Sequence, residues 1–151
     1  MARTLGGSCL TPCPATRPCA NYLVNKETTI DIALVLAGGG VGSLSRYFVS
    51  LSAGRIFGDS FAWGTMIVNL LGCLLIGFLV GLLDRSILPR AMRILLVTGF
   101  LGGFTTFSSF SLESMRMFMA GTIGKGTLNL AINVIGGFGL TFAGLYAASK
   151  V

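Results

Sequence analysis

The 151-residue sequence has no histidine, a single tryptophan, and charge on only 11% of its residues. Without His it lacks the commonest general base and metal ligand, which argues against an enzyme. Scarce charge argues against a soluble domain, where about 25% of residues are Asp, Glu, Lys or Arg. It also argues against a disordered chain and a nucleic-acid binder. No long apolar stretch holds a central carboxylate, so a proton-coupled antiporter lacks its titrating group. What remains is 53% hydrophobic residues, a mean hydropathy of +0.83 and 22 glycines. A fold this small cannot hide so much apolar surface from water. Membrane lipid is the expected surrounding, and the glycines suit closely packed membrane helices. The formal net charge of +6 is then read as flanking charge beside anionic headgroups.

The few charges mark the architecture. Asp59 and Asp84 enclose 24 uncharged residues, Arg93 and Glu113 enclose 19, and Lys125 and Lys150 enclose 24. Each run matches the roughly 20 residues that cross a bilayer as helix. A fourth run from Ile30 to Ala53 is interrupted by Arg46, about two turns from its end. The expectation is an all-α membrane protein with four transmembrane helices near 30–53, 62–83, 92–119 and 126–148. Trp63, Tyr47 and Tyr146 are expected at span ends as interfacial aromatics. Residues 1–29, with Pro12, Pro14 and Pro18, read as a disordered tail before a channel domain at 30–151. Cys9, Cys13 and Cys19 lack metal-site spacing, and Cys73 reads as a small packing residue.

An even number of spans puts both termini on one side. That side carries Lys26, Arg85, Arg90, Arg93 and Lys150, plus Arg3 and Arg17 in the tail; the other carries Arg46, Arg55, Arg116 and Lys125, so without the tail the count is five against four. So weak a bias fits either a fixed topology blurred by a few charges or insertion in both directions.

Span 3 contains Gly99, Gly102, Gly103, Thr105 and Thr106 in mid-membrane. Backbone freed there survives only inside protein or beside a wet cavity, and transporters and channels place ions at such discontinuities. Close packing through the G-x-x-x-G pair Gly99 and Gly103 is the other reading. Phe107 and Phe110 share a helix face, and their positive ring edges can meet an anion; lipid-facing or core roles are equally open. Asn69, one turn after Thr65, can donate to an anion or tie two helices together. Asn129, Asn133, Gly137 and Thr141 form a stripe that lines a pore or glues helices. Arg46 and Glu113 are the charges expected within the membrane itself; they are functional candidates, with snorkelling or a structural pair as the other reading. Gly38-Gly39-Gly40-Val41-Gly42-Ser43 has no following Lys, so it is no phosphate loop; Gly38 and Gly42 read as a packing face.

Three segments together resemble the Fluc (CrcB) fluoride channels: Gly39 through Tyr47, Gly64 through Gly72, and above all Thr98-Gly99-Phe100-Leu101-Gly102-Gly103-Phe104-Thr105-Thr106-Phe107-Ser108-Ser109-Phe110-Ser111 with Glu113. The resemblance covers about residues 30–150. It implies a passive, fluoride-selective channel of the bacterial inner membrane that exports fluoride and lowers its toxicity. It implies a third helix broken near the midplane and an antiparallel, dual-topology homodimer with two pores. Phe107 and Phe110 would present ring edges to fluoride, Asn69 its amide, Thr65 a hydroxyl, and Asn133 a further polar group. Gly102 and Thr105 would offer backbone carbonyls to a structural sodium ion at the dimer axis. Arg46 would sit at a vestibule and Glu113 near a pore end. The span 4 stripe departs from the Ser and Tyr frequent in the family. The rival expectation is a small four-helix, dual-topology multidrug transporter, which needs an acid inside span 1, where Asp31 stands only at the edge.

Overall fold

The computed structural model describes residues 26–85 and 87–151. All regular structure among them is helical, in four helices long and apolar enough to cross a membrane. The expected tail lies outside the described residues up to position 25, while positions 26–29 already belong to the first helix. That helix runs Lys26–Phe57, longer at both ends than the charge pattern predicts. Arg46 is therefore about three turns from its end rather than two, and Tyr47 lies about 15 Å inside the helix rather than at its rim. The second helix is Trp63–Asp84, the third span is Arg90–Met119 and the fourth is Ile123–Ala148. Gly58 and Gly121, both at φ 73°, turn the chain after the first and third spans, where a side chain would be strained.

The four spans are joined at one end by polar contacts. Arg90 pairs with Asp31, Arg93 lies 3.9 Å from Asp84, and Arg85 donates to the Ser149 carbonyl at 2.9 Å. At the other end Lys125 donates to the Ser60 carbonyl at 3.0 Å. Between the ends, helices meet through small residues. The first helix lies on the third at Gly38 and Gly42, where an added Cβ would strike the Leu95 and Phe100 carbonyls. Gly99 and Gly103 answer from the third span, against Gly38, Gly39 and Ser43. The second and fourth helices cross at Gly77 and Gly144, each against the other's backbone. Such approaches let dispersion act between backbones where lipid removes any hydrophobic drive between helices. The buried apolar set is accordingly small: Ala53, Val68, Leu83, Leu101, Phe104, Phe110 and Ala148. Leu36, Ile56, Ile135, Phe138 and Phe142 face outward, as they should against hydrocarbon.

The third span is not uniform. Residues Arg93–Leu101 wind as π-helix, a last α turn covers Gly102–Phe104, and α-helix resumes at Phe107–Met119. Thr105 (ψ 158°) and Thr106 (φ −151°, ψ 115°) between them are extended. The extended residues are the two threonines; the glycines before them are helical, with Gly99 and Gly103 packed closely on the first helix and Gly102 open.

Candidate functional site

The extended pair frees peptide groups that a helix would bind internally. Thr106 N–H, which in an unbroken helix bonds the Gly102 carbonyl, instead donates to Asn69 Oδ1 at 2.9 Å. Asn69 Nδ2 donates back to the Thr106 carbonyl at 3.2 Å. This two-point clasp makes one side chain of the second helix stand in for a neighbouring strand. Thr106 also caps the following helix: its Oγ1 accepts from Ser109 N–H at 3.2 Å. On the near side, Thr105 N–H and Oγ1 both reach the Leu101 carbonyl at 3.0 Å.

Beside the clasp is a cavity of about 370 Å³ lined by Asn69, Gly102, Thr105, Phe107, Phe110 and Asn133, with Cys73 on its wall. Six of the residues singled out in the sequence thus meet in one place. The two phenylalanines meet edge-on, with centroids 5.7 Å apart and planes at 64°. They are not equivalent. Phe110 is 5% exposed and belongs to the interior, whereas Phe107 is 78% exposed and projects out of the chain.

Thr65 and Glu113 lie apart from this cavity and line a smaller one of about 160 Å³ with Asp59 and Trp63. The buried Thr65 donates its hydroxyl to Glu113 Oε1 at 2.9 Å. Thr65 precedes Asn69 by four residues and Glu113 follows Phe110 by three, so the two cavities are stacked about one helical turn apart. Glu113 also borders a third, wider cavity of about 550 Å³ with Arg116, Asp59 and Lys125. Arg46 does not snorkel to an end: its guanidinium donates to the Thr105 carbonyl at 3.4 Å. Arg46 lies three turns inside the first helix, where a guanidinium needs an acceptor.

The fourth-span stripe acts as glue at its start. Asn129 is fully buried and donates to Ser114 Oγ at 2.9 Å, and Asn133 donates to Asn129 Oδ1 at 3.0 Å. Asn133 in turn accepts from Asn69 at 3.0 Å, so this glue reaches the cavity. Ser114 and the capping role of Thr106 were not singled out from the sequence. The preference for Thr before a helix start signals the cap; nothing in the sequence signals Ser114.

The chain matches known proteins over the same segments. The family model described as CrcB-like protein, Camphor Resistance (CrcB), covers residues 33–145. The fluoride-specific ion channel FluC of Agrobacterium fabrum (strain C58 / ATCC 33970) is 45% identical over 117 residues, 77% of this chain and 94% of that protein. The protein of the same name from Rhizobium etli (strain ATCC 51251 / DSM 11541 / JCM 21823 / NBRC 15573 / CFN 42) is 44% identical over 117 residues, again 77% and 94%. That from Azobacteroides pseudotrichonymphae genomovar. CFP2 is 49% identical over 107 residues, 70% of this chain and 86% of its own.

Proposed function

The chain belongs to the CrcB family, and from that premise we propose that it is a fluoride-selective channel that passively exports fluoride from the cytoplasm. It is a multi-pass protein of the plasma membrane. Hydrogen fluoride crosses membranes as a neutral acid and dissociates in the less acidic cytoplasm. An open anion path then lets the inside-negative potential expel fluoride, at about 2.3 kcal/mol per charge per 100 mV. Such a path needs no coupling carboxylate. Asp31, the acid a drug transporter would need in mid-span, sits in the second turn of the first helix and pairs with Arg90.

The observation that carries the reading is the clasped extended pair with the edge-on phenylalanines beside it. With the chain crossing a bilayer, the extended pair supports a third helix broken near the midplane. A donor amide (Asn69) and ring edges (Phe107 and Phe110) converge there without a fixed charge, which suits a small, strongly hydrated anion that must enter and leave. Thr65, with Glu113 beside it, continues the polar path one turn away.

The outward Phe107 supports a pore completed by a second copy, and the near-balance of basic residues at the two ends supports an antiparallel homodimer in lipid. Sodium fits the same arrangement. Thr106 N–H has left the Gly102 carbonyl, Gly102 is exposed, and the Thr105 carbonyl has only a long contact from Arg46. Neutral carbonyls on unwound backbone suit a hard monovalent cation. Among the described residues no cluster of three His, Cys, Asp or Glu competes for a metal. Gly102 and Thr105 would hold the ion, whose charge would satisfy carbonyls of both copies and tie them together.

Expression in a bacterium stripped of its own fluoride exporter tests the function. Restored growth in fluoride medium is expected; growth no better than with an empty vector contradicts it.

A further inference from the structure

The amide orientations in the site follow from one fixed reference, the Thr106 backbone. A peptide N–H only donates and a peptide carbonyl only accepts. Thr106 N–H therefore meets the oxygen of Asn69, at 2.9 Å, and its carbonyl meets the NH2, at 3.2 Å. Asn69 Nδ2 has one hydrogen left, so its second partner, 3.0 Å away on Asn133, is the amide oxygen. The NH2 of Asn133 then turns back to the fourth helix and reaches both Oδ1 and the backbone carbonyl of Asn129, each at 3.0 Å. Asn129 is left with its own NH2 for Ser114 Oγ at 2.9 Å, and Ser114 donates to the Phe110 carbonyl at 2.8 Å. The chain of bonds has a single direction, and both hydrogens of the Asn69 amide are taken.

We infer that Asn133, oriented by Asn129, sets the fluoride affinity of the channel: its amide oxygen occupies the second hydrogen of Asn69, and fluoride reaches that donor only by displacing it. The inference rests on the fluoride-channel reading and adds to it a positioning residue that acts through Asn69. The exchange is chemically balanced. A charged acceptor forms a bond roughly twice as strong as a neutral amide oxygen does, so fluoride displaces Asn133. Asn133 reclaims the donor afterwards, so no hydrogen is stranded and the anion is released easily. Conduction requires such weak, reversible holding.

The test is the initial rate of fluoride efflux from proteoliposomes as a function of internal fluoride. Asn133→Ala and the near-isosteric Asn133→Leu remove the competing oxygen. The half-saturating concentration is expected to fall about fivefold, equivalent to roughly 1 kcal/mol, with a maximal rate no higher than wild type. Asn129→Ala, which leaves Asn133 held only by the Asn129 backbone carbonyl, is expected to lower it about twofold. A purely structural brace would reduce the maximal rate and leave half-saturation in place. A conducting wild type with half-saturation unchanged or raised in both Asn133 variants overturns this inference alone. Failure of both variants to give monodisperse protein overturns it too, because the oxygen would then be needed for folding. A wild type that passes no fluoride overturns the channel reading and this inference together.

Discussion

Thr106 has taken its peptide N–H out of the helical ladder inside a membrane, where an unsatisfied group costs several kcal/mol, and Asn69 supplies the missing acceptor. Replacing Asn69 by Leu keeps the volume and removes both clasp bonds. The expected result is a loss of about 1–3 kcal/mol, read as earlier thermal unfolding in detergent, together with loss of fluoride efflux. The two phenylalanines separate stability from conduction. Phe110 is buried, so Phe110→Ala is expected to destabilise the protein by about 3 kcal/mol and also to lower flux. Phe107 is largely outside the single chain, so Phe107→Ala is expected to leave unfolding of the chain nearly unchanged while flux falls at least about tenfold. Unchanged flux in a monodisperse Phe107→Ala protein would remove that ring from the path.

Between elements, close approach decides stability. An added methyl at Gly42 meets the Phe100 carbonyl, whereas one at Gly40 meets nothing within 4 Å. Gly42→Ala is expected to pry the first helix from the third and lower the unfolding temperature. Gly40→Ala is expected to be neutral or stabilising by up to about 1 kcal/mol, the helix-propensity gain over glycine. Equal effects of the two substitutions would contradict the packing. The spans themselves were legible because a bilayer penalises charge so strongly that Asp59, Asp84, Arg93 and Lys125 had to fall near or beyond their ends. The first helix was drawn too short, because its own Glu27, Asp31 and Arg55 are helical and hide its ends from a charge count. Phe107, Phe110, Asn69 and Asn133 were legible as polar or aromatic groups at helical spacing. Their meeting was not, since it depends on which residue of the second helix stands opposite Thr106. Thr65 was grouped with them in sequence yet borders a neighbouring cavity beside Glu113, a separation of one turn that spacing within a single helix cannot show. The Arg46 contact with the Thr105 carbonyl likewise depends on how the first helix lies on the third.

At the scale of the whole molecule, the even span number and the thin charge bias bear on orientation. Ion pairs mask part of the basic surplus at the end that holds Arg85, Arg90 and Arg93, since Asp31 and Asp84 lie beside two of these arginines. The proposed antiparallel pairing therefore has a direct readout. With the native cysteines replaced and a single cysteine placed at Ser60 in the first loop, an impermeant thiol reagent is expected to label about half the chains from each side of the membrane. Labelling from one side only would fix a single orientation and exclude the inverted dimer. The central claim, selective and passive passage of fluoride, is tested most directly by recording anion efflux from proteoliposomes of the purified chain under an imposed potassium potential. Fluoride is expected to leave the vesicles while chloride is retained. Chloride leaving as fast as fluoride, or neither anion leaving, would contradict it.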